Sequence, residues 1–170
     1  MTFPDNLSPA QLLYPDLDQE LASTRKMLAI VPDGNDDFRP HEKSMKLGPL
    51  ATHLAELPGF GRVLLTTTEL DWSTTKWAPK QFTTTTERLV EFDTNAADMK
   101  SSVEGASWSD LEERWVMRGG DVIYVDDQKA KLVRGFAISH MAHHRAQLGV
   151  YLRMLGVPIP GTYGPSADES

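Results

Sequence analysis

The sequence of 170 residues contains no cysteine. This absence excludes thiolate nucleophiles, disulfide frameworks and cysteine-ligated zinc sites together, and it fits a reducing compartment. Long apolar runs are also missing, since no stretch approaches the roughly 20 residues that cross a bilayer. The N-terminus lacks the basic segment and apolar core of a secretion signal. We therefore expect a cytoplasmic protein that does not associate with a membrane.

Positive charge is scarce as well. Seventeen lysines and arginines stand against twenty-four aspartates and glutamates, which gives a formal net charge of -7. Proteins that bind nucleic acid neutralise phosphates with clustered basic residues, and no basic run stands out here. We therefore expect no nucleic-acid partner. The 40% hydrophobic and 24% charged residues are typical of a folded globular protein. The length fits one domain, predicted to span residues 1–170.

Apolar residues recur every three or four positions in four segments, which predicts four helices. The first begins at Ser8, whose side chain forms a capping box with Gln11. Pro15 kinks this helix or delays its start. The second begins near Ser44, and Pro58 in "PGFG" is the predicted interruption. The predicted buried residues of these two helices are Leu13, Leu17, Leu21, Leu28, Leu47, Leu50, Leu54, Leu57 and Leu64.

The third helix begins after Thr84, which can form a capping box with Glu87. Alternating residues around Gly119 and Gly120 then predict a β-hairpin with a tight turn. The fourth helix runs from about residue 127 to residue 155. Its predicted inward stripe is Val133, Phe136 or Ala137, His140, His144, Leu148, Tyr151 and Leu155. The predicted fold is therefore all-α, a four-helix bundle with a small β-hairpin in the connection before the last helix.

The segment "HMAHHRAQL" carries three of the five histidines. His140 and His144 lie one helical turn apart, so both imidazoles can reach one ion. His53 lies on the apolar face of the second helix and is the natural third ligand. Three imidazoles leave coordination positions open for water or substrate. We predict a divalent metal site at these three residues, with zinc or nickel favoured ahead of iron and manganese.

A different interpretation applies to each of these histidines. A single histidine on an apolar face is more often a core residue that is hydrogen-bonded to a carbonyl than a metal ligand. His143 is turned by about 100° from His144, so it flanks the site instead of ligating. His41 is predicted to face solvent or to form a loop hydrogen bond. Met141 occupies the glutamate position of a His-Glu-x-x-His motif, so this helix supplies no general base.

Two polar residues on the same helix have alternative roles. Arg145 either anchors an anionic substrate group or pairs with a carboxylate, and the salt bridge is favoured. Gln147 either orients a ligand ring or is simply a polar residue at the edge of the core.

These segments resemble a known family. "KLGPLATHLAEL", "HMAHHRAQL" and the tail "LGVPIPGTYGPSADE" are similar to members of the DinB/YfiT-like superfamily. The histidine helix of that family commonly reads His-x-x-His-His-Arg-Gly-Gln, and Ala146 replaces the glycine here. The resemblance implies a four-helix bundle, often a homodimer, in which His53, His140 and His144 hold a divalent metal. Its members include thiol-dependent transferases and isomerases that use low-molecular-weight thiols.

Two functions remain open at this point. The first is a metal-dependent enzyme, of thiol-dependent transferase or hydrolase type, that acts on a small molecule, including a low-molecular-weight thiol. The second is a non-catalytic, metal-stabilised dimeric binding module in a stress response. A structural zinc site is usually closed by four protein ligands, whereas a catalytic site keeps a position open. The number of protein ligands therefore distinguishes the two.

Overall fold

The computed structural model describes residues 7–76, 78 and 80–169. Its helices are α1 (Pro9–Leu13), α2 (Leu17–Leu28), α3 (Leu47–Thr66), α4 (Thr85–Gly105), α5 (Trp108–Glu112), α6 (Lys129–Leu132) and α7 (His140–Met154). Its strands are β1 (Glu69–Asp71), β2 (Arg114–Gly119) and β3 (Val122–Gln128). A π-helical segment, Val133–Ser139, joins α6 to α7, so the last helix is continuous.

Four helical rods form the body of the protein. Helix α3 packs against both α4 and the last helix, and α2 packs against α4 and α7. The strands β2 and β3 form an antiparallel hairpin between α4 and the last helix. The prediction of an all-α four-helix bundle with a hairpin before its last helix is confirmed. The sequence did not predict β1, which pairs in parallel with β2 and completes a three-stranded sheet.

The predicted helix starts at Ser8 and Thr84 are confirmed. Both side chains accept a hydrogen bond from a backbone amide and form the expected capping boxes. Pro15 separates α1 from α2, as its missing amide hydrogen predicts. In the hairpin, Gly119 still pairs with Val122, so the two turn residues are Gly120 and Asp121, with Gly120 at φ 62°.

Helix α3 begins at Leu47, three residues later than predicted, because the preceding loop caps it. The amide of Leu47 donates to the carbonyl of Phe38 at 2.8 Å, and that of Gly48 donates to the carbonyl of Asp36 at 3.0 Å. These bonds satisfy donors that would otherwise be left free at a helix start. The loop is thereby fixed against the first turn of α3.

The predicted interruption at Pro58 is wrong, because α3 continues through it to Thr66. A proline inside a helix costs about 3 kcal/mol. Close packing on α4 offsets that cost, since a Cβ on Gly61 would lie 2.8 Å from Met99 Sδ and one on Gly59 would lie 2.8 Å from Asn95 Oδ1. The two glycines let α4 approach, and the contact holds the second half of α3 in line with the first.

The last helix begins at Lys129 and not near Asp127, because β3 extends to Gln128. Its π-helical turn was not predicted; such turns are short local widenings and are frequent at functional sites. The helix ends at Met154, where Gly156 adopts φ 74° and the amide of Val157 donates to an upstream carbonyl. This is a glycine-dependent C-terminal cap.

The predicted buried residues of the first two helices fill the core, except that Leu13 is only partly buried, and α4 adds three more core residues. Fully or largely buried residues include Leu17, Leu21, Leu28, Leu47, Leu50, Leu54, Leu57, Leu64, Phe92, Met99 and Val103. Among the described residues, no helix is both long enough and apolar enough to cross a membrane.

Asp71 at the end of β1 ties this strand to the hairpin. Its carboxylate accepts hydrogen bonds from the amide of Gly120 at 3.0 Å and from the hydroxyl of Ser73 at 2.7 Å, and it pairs with Arg118 at 2.9 Å. The Gly120 amide first, and then the Ser73 donors, lower the pKa of Asp71 to about 2. The ionised carboxylate therefore stabilises the folded sheet.

We expect Asp71→Asn to lower the free energy of unfolding at pH 7. The folded pKa lies below the unfolded value of 3.8, so this contribution is present above pH 4 and is lost as the pH falls toward 2. Urea unfolding at pH 7, 4 and 2.5 should show the difference between wild type and variant shrinking with acidity. Asp121→Asn, in the exposed turn, is the matched control. A difference that does not change with pH would contradict this assignment.

Candidate metal centre

The structure brings together the three histidines predicted as metal ligands. His53 comes from the first half of α3, and His140 and His144 come from the first two turns of α7. One ligand atom from each of the three lies within 4.8 Å of the others. The Nε2 atoms of His140 and His144 are 2.8 Å apart. The ring of His53 lies 5.2 Å from that of His140 and 4.8 Å from that of His144, centroid to centroid.

The rings lie at the edge of the bundle and not in its interior. All three histidines are half-buried, whereas Leu54 and Leu148 on the same helices are fully buried. His140 and His144 therefore point toward α3 as predicted, but the prediction that they are buried in the core is wrong. Aliphatic side chains fill the interior of the bundle. The polar ring nitrogens lie at its edge, where the free-energy cost of removing them from water is lower.

Burial keeps these imidazoles uncharged. Desolvation, followed by the proximity of His144 and His140, lowers the pKa of His53 to about 4. Desolvation is also the main cause that lowers the pKa of His140 and of His144. At neutral pH the rings are therefore neutral, which is the form that offers a nitrogen lone pair to a metal.

Hydrogen bonds fix the orientation of two of the rings. Gln147 Oε1 lies 2.7 Å from His144 Nδ1 and accepts a hydrogen bond from its N–H. The ring of His140 hydrogen-bonds to the backbone of Phe136, in the π-helical segment, and its Nε2 faces His144. Both Nε2 atoms are thus directed toward the cluster, and both outer nitrogens are held, as is usual for histidines that bind metals. The interpretation of Gln147 as a residue that orients a ring is favoured over that of a bystander.

The donor set fits a divalent ion. Zinc binds imidazole nitrogen at about 2.0–2.1 Å, which places tetrahedral donors about 3.4 Å apart. The nitrogen separations here, from 2.8 Å to at most 4.8 Å, bracket that value, so small ring rotations are sufficient. Within the described part of the chain, the group contains three residues and no fourth histidine, aspartate or glutamate. Three protein donors correspond to an open site.

The remaining candidates lie outside the cluster. His143 is exposed and contacts Gln147 Nε2 at 3.0 Å, so it flanks the site as predicted. His41 is exposed in its loop, and its Nδ1 accepts a hydrogen bond from the amide of Lys43, also as predicted.

Arg145 forms the predicted salt bridge and does not face the site. Its guanidinium is almost fully buried, 2.8 Å from the carboxylate of Glu20 on α2. It also donates to Thr24 Oγ1 at 3.1 Å and to the hydroxyl of Tyr163 at 2.6 Å. These contacts join α7, α2 and the C-terminal tail, so the substrate-anchor interpretation is not favoured.

Sequence reasoning missed the cavity beside the histidines. A cavity of about 500 Å³ lies between the first half of α3 and residues 80–83, and His53 forms part of its wall. Glu56 lines the same cavity. The signal for it was available, because Glu56 follows His53 by three residues in "THLAEL" and therefore shares its helix face.

The fold and the cluster together define a four-helix-bundle protein with a candidate three-histidine metal centre. A sequence profile of the DinB family matches residues 6–170. The chain therefore belongs to the DinB family, as the resemblance of its motifs implied.

Solved structures of similar proteins agree with this assignment. The DinB-like protein YjoA of Bacillus subtilis is 15% identical, with a TM-score of 0.68 over 89% of this chain and 97% of its own. YfiT of Bacillus subtilis, described as a probable metal-dependent hydrolase with an unusual four-helix bundle topology, is 14% identical, with a TM-score of 0.62 over 93% of this chain and 95% of its own. Similarity at this level of identity shows a shared fold.

A local sequence match was also found to the uncharacterized protein YrdA of Bacillus subtilis (strain 168). The two are 47% identical over 34 residues, which are 20% of this chain and 20% of YrdA. The match thus spans about a fifth of the length of that relative.

We expect the imidazole of His53 to titrate near pH 4, and those of His140 and His144 below the ordinary value of 6.5. The unfolded chain binds these protons more readily, so the free energy of unfolding should fall as the pH drops from 6.5 toward 4. Proton NMR titration of metal-free protein, with assignments from single His→Gln variants, measures the pKa values. A midpoint near 6.5 for His53 would contradict the burial argument.

Proposed function

We propose that this protein is a metal-dependent enzyme, of thiol-dependent transferase or hydrolase type, whose divalent ion is held by His53, His140 and His144. Zinc and nickel are the favoured ions. The observation that carries the proposal is the convergence of three neutral imidazoles within 4.8 Å beside a cavity. Three nitrogen donors suit these metals and leave room for a further ligand.

Each part of this site has a chemical role in the proposal. When bound, a divalent ion supplies a Lewis acid that lowers the pKa of a coordinated water or thiol. The lowered pKa of His53 keeps its ring neutral and ready to ligate. Gln147 and the backbone at Phe136 orient the rings of His144 and His140. The adjacent cavity has the size of a small-molecule site.

Relatives support both reaction types. The description of YfiT as a probable metal-dependent hydrolase supports hydrolysis. The family resemblance supports transfer with a low-molecular-weight thiol as substrate. A chain with a net charge of -7 is not suited to nucleic acid, so we propose a small-molecule substrate. We also propose that the protein is cytoplasmic.

The alternative is a non-catalytic, metal-stabilised dimeric module. One observation favours a dimer: Val122, Ile123 and Tyr124 of the edge strand β3 are about 60% exposed, and edge strands can pair with a second chain. We retain the homodimer as part of the proposal. The three-ligand site, however, favours the enzyme over a closed structural centre.

The proposal predicts that tag-free wild-type protein contains close to one divalent ion per chain by elemental analysis. A triple variant, His53→Ala, His140→Ala and His144→Ala, should lose it, because no nitrogen donors remain at the site. The paired control His41→Ala with His143→Ala should keep it. Ester hydrolysis and conjugation of small thiols should then be screened with loaded wild type and the triple variant. Equal metal content in wild type and triple variant would disprove the site.

The hydrogen bond of Gln147 to His144 should be measurable as metal affinity. We expect Gln147→Leu to weaken zinc binding about 10–100-fold, because the ring loses the acceptor that orients it. Gln147→Glu keeps an acceptor oxygen and should retain the affinity. Competition with a chromophoric chelator gives the constants. If both variants bind as wild type does, Gln147 has no orienting role.

A further inference from the structure

The cavity beside His53 is lined on one side by one face of α3 and on the other by the loop segment 80–83. Gly48, Thr52, His53 and Glu56 follow the three- or four-residue spacing of a single helix face, and residues 80–83 lie across from them. Its volume of about 500 Å³ is within the range of small-molecule sites. A molecule in this cavity would touch the ring of the proposed metal ligand.

Three side chains of the cavity wall are acidic or basic residues other than histidine, and two of them already form ion pairs. Asp36 Oδ1 lies 2.6 Å from the guanidinium of Arg88, whose side chain is fully buried behind it. Lys80 Nζ lies 2.6 Å from Glu91 Oε1. The two members of each pair neutralise each other, although the charges of Lys80 and Glu91 still act on Glu56 from a distance.

Glu56 is the third of these residues, and its carboxylate forms no ion pair with a described residue. Within the described ranges, no lysine, arginine or histidine nitrogen lies within the 4.0 Å of an ion pair with it. Burial, opposed by the charge and the backbone amide of Lys80 and reinforced by Glu91, raises the pKa of Glu56. A half-buried carboxylate without a close cation gains from a charged donor that enters from the cavity.

The rest of the cavity wall is suited to an apolar group. Pro49 lies on the same face of α3 as Glu56, Met45 precedes the helix, and Phe82 comes from the opposite segment. Met45 is 45% exposed, so its side chain is accessible at the mouth. The cavity therefore combines one unbalanced negative charge with apolar walls.

We propose that this cavity binds a small molecule that carries a protonated amine, with the ammonium group on Glu56 and an apolar portion against Met45, Pro49 and Phe82. The inference rests on the proposed function, because it names the class of substrate that the metal centre would receive. Glu56 would be a specificity-determining residue, and it would hold the ligand beside His53.

The test uses 2-phenylethylamine as the probe, with 2-phenylethanol and 3-phenylpropanoate as neutral and anionic probes of similar size. Full-length, zinc-loaded protein is titrated with each probe by NMR at pH 7. We expect the amine to bind about tenfold more tightly than the alcohol, with shifts concentrated at Thr52, Glu56 and Phe82. A charged hydrogen bond that is partly screened by solvent accounts for a factor of this size.

The Glu56→Gln variant keeps the shape of the side chain and removes its charge. It should lose the preference for the amine, whereas Glu104→Gln, an exposed glutamate near the end of α4, should keep it. Zinc content and circular dichroism of each variant show that the site and the fold are intact. Equal binding of amine and alcohol to wild type, no amine binding at millimolar concentration, or an unchanged preference in Glu56→Gln would overturn the inference.

The same samples separate this inference from the proposed function. Zinc bound at one equivalent without any amine preference means that the inference is wrong and leaves the metal centre intact. If wild-type protein shows the amine preference but takes up neither zinc nor nickel, the result supports the amine site and refutes the metal-dependent function.

Discussion

Three imidazole rings can all offer a lone pair to one cation only while they remain uncharged. Protonation of both His140 and His144 would place two positive charges next to each other, with their Nε2 atoms 2.8 Å apart. Partial burial enforces neutrality, since it lowers the pKa of all three rings. The same neutrality gives the cluster its chemical capacity, because a neutral imidazole has a lone pair to donate. Electrostatics and packing therefore act together at this site.

The orientation of α7 depends on contacts that its opposite face, away from the histidines, makes with α2. The buried ion pair of Arg145 with Glu20 and its hydrogen bond to Thr24 join α7 to α2. Arg145 is adjacent to His144 in sequence, so these contacts fix the rotation of the helix that presents the histidines to α3. The hydroxyl of Tyr163 adds the C-terminal tail to this network, donating to Glu20 at 3.0 Å. A residue that resembles a substrate anchor in sequence is thus part of the support for the site.

Local patterns were sufficient to predict most of the fold and the members of the cluster. Capping boxes at Ser8 and Thr84 depend on residues three positions apart, and the spacing of His140 and His144 follows from helix geometry. Effects that arise between distant segments were not predictable in this way. The continuation of α3 through Pro58 depends on its contact with α4, and the capping of α3 depends on loop carbonyls.

The partial burial of the histidines and the cavity beside them also arise from contacts between distant segments, so they were not predictable from local patterns. Periodicity indicates which way a side chain points, but the exposed fraction depends on how closely two helices meet. The role proposed for Glu56 depends on residues 80–83, which lie across from α3, and on the ion pairs of Asp36 and Lys80, and no local sequence pattern indicates either.

The central claim is that rings from two distant segments of the chain converge on one cation. Anomalous diffraction at the zinc edge from crystals of zinc-loaded protein tests it most directly. The account predicts a single strong peak about 2.0–2.1 Å from one nitrogen each of His53, His140 and His144. A zinc peak bound elsewhere, or a zinc-soaked crystal in which these three rings contact only one another, would contradict it.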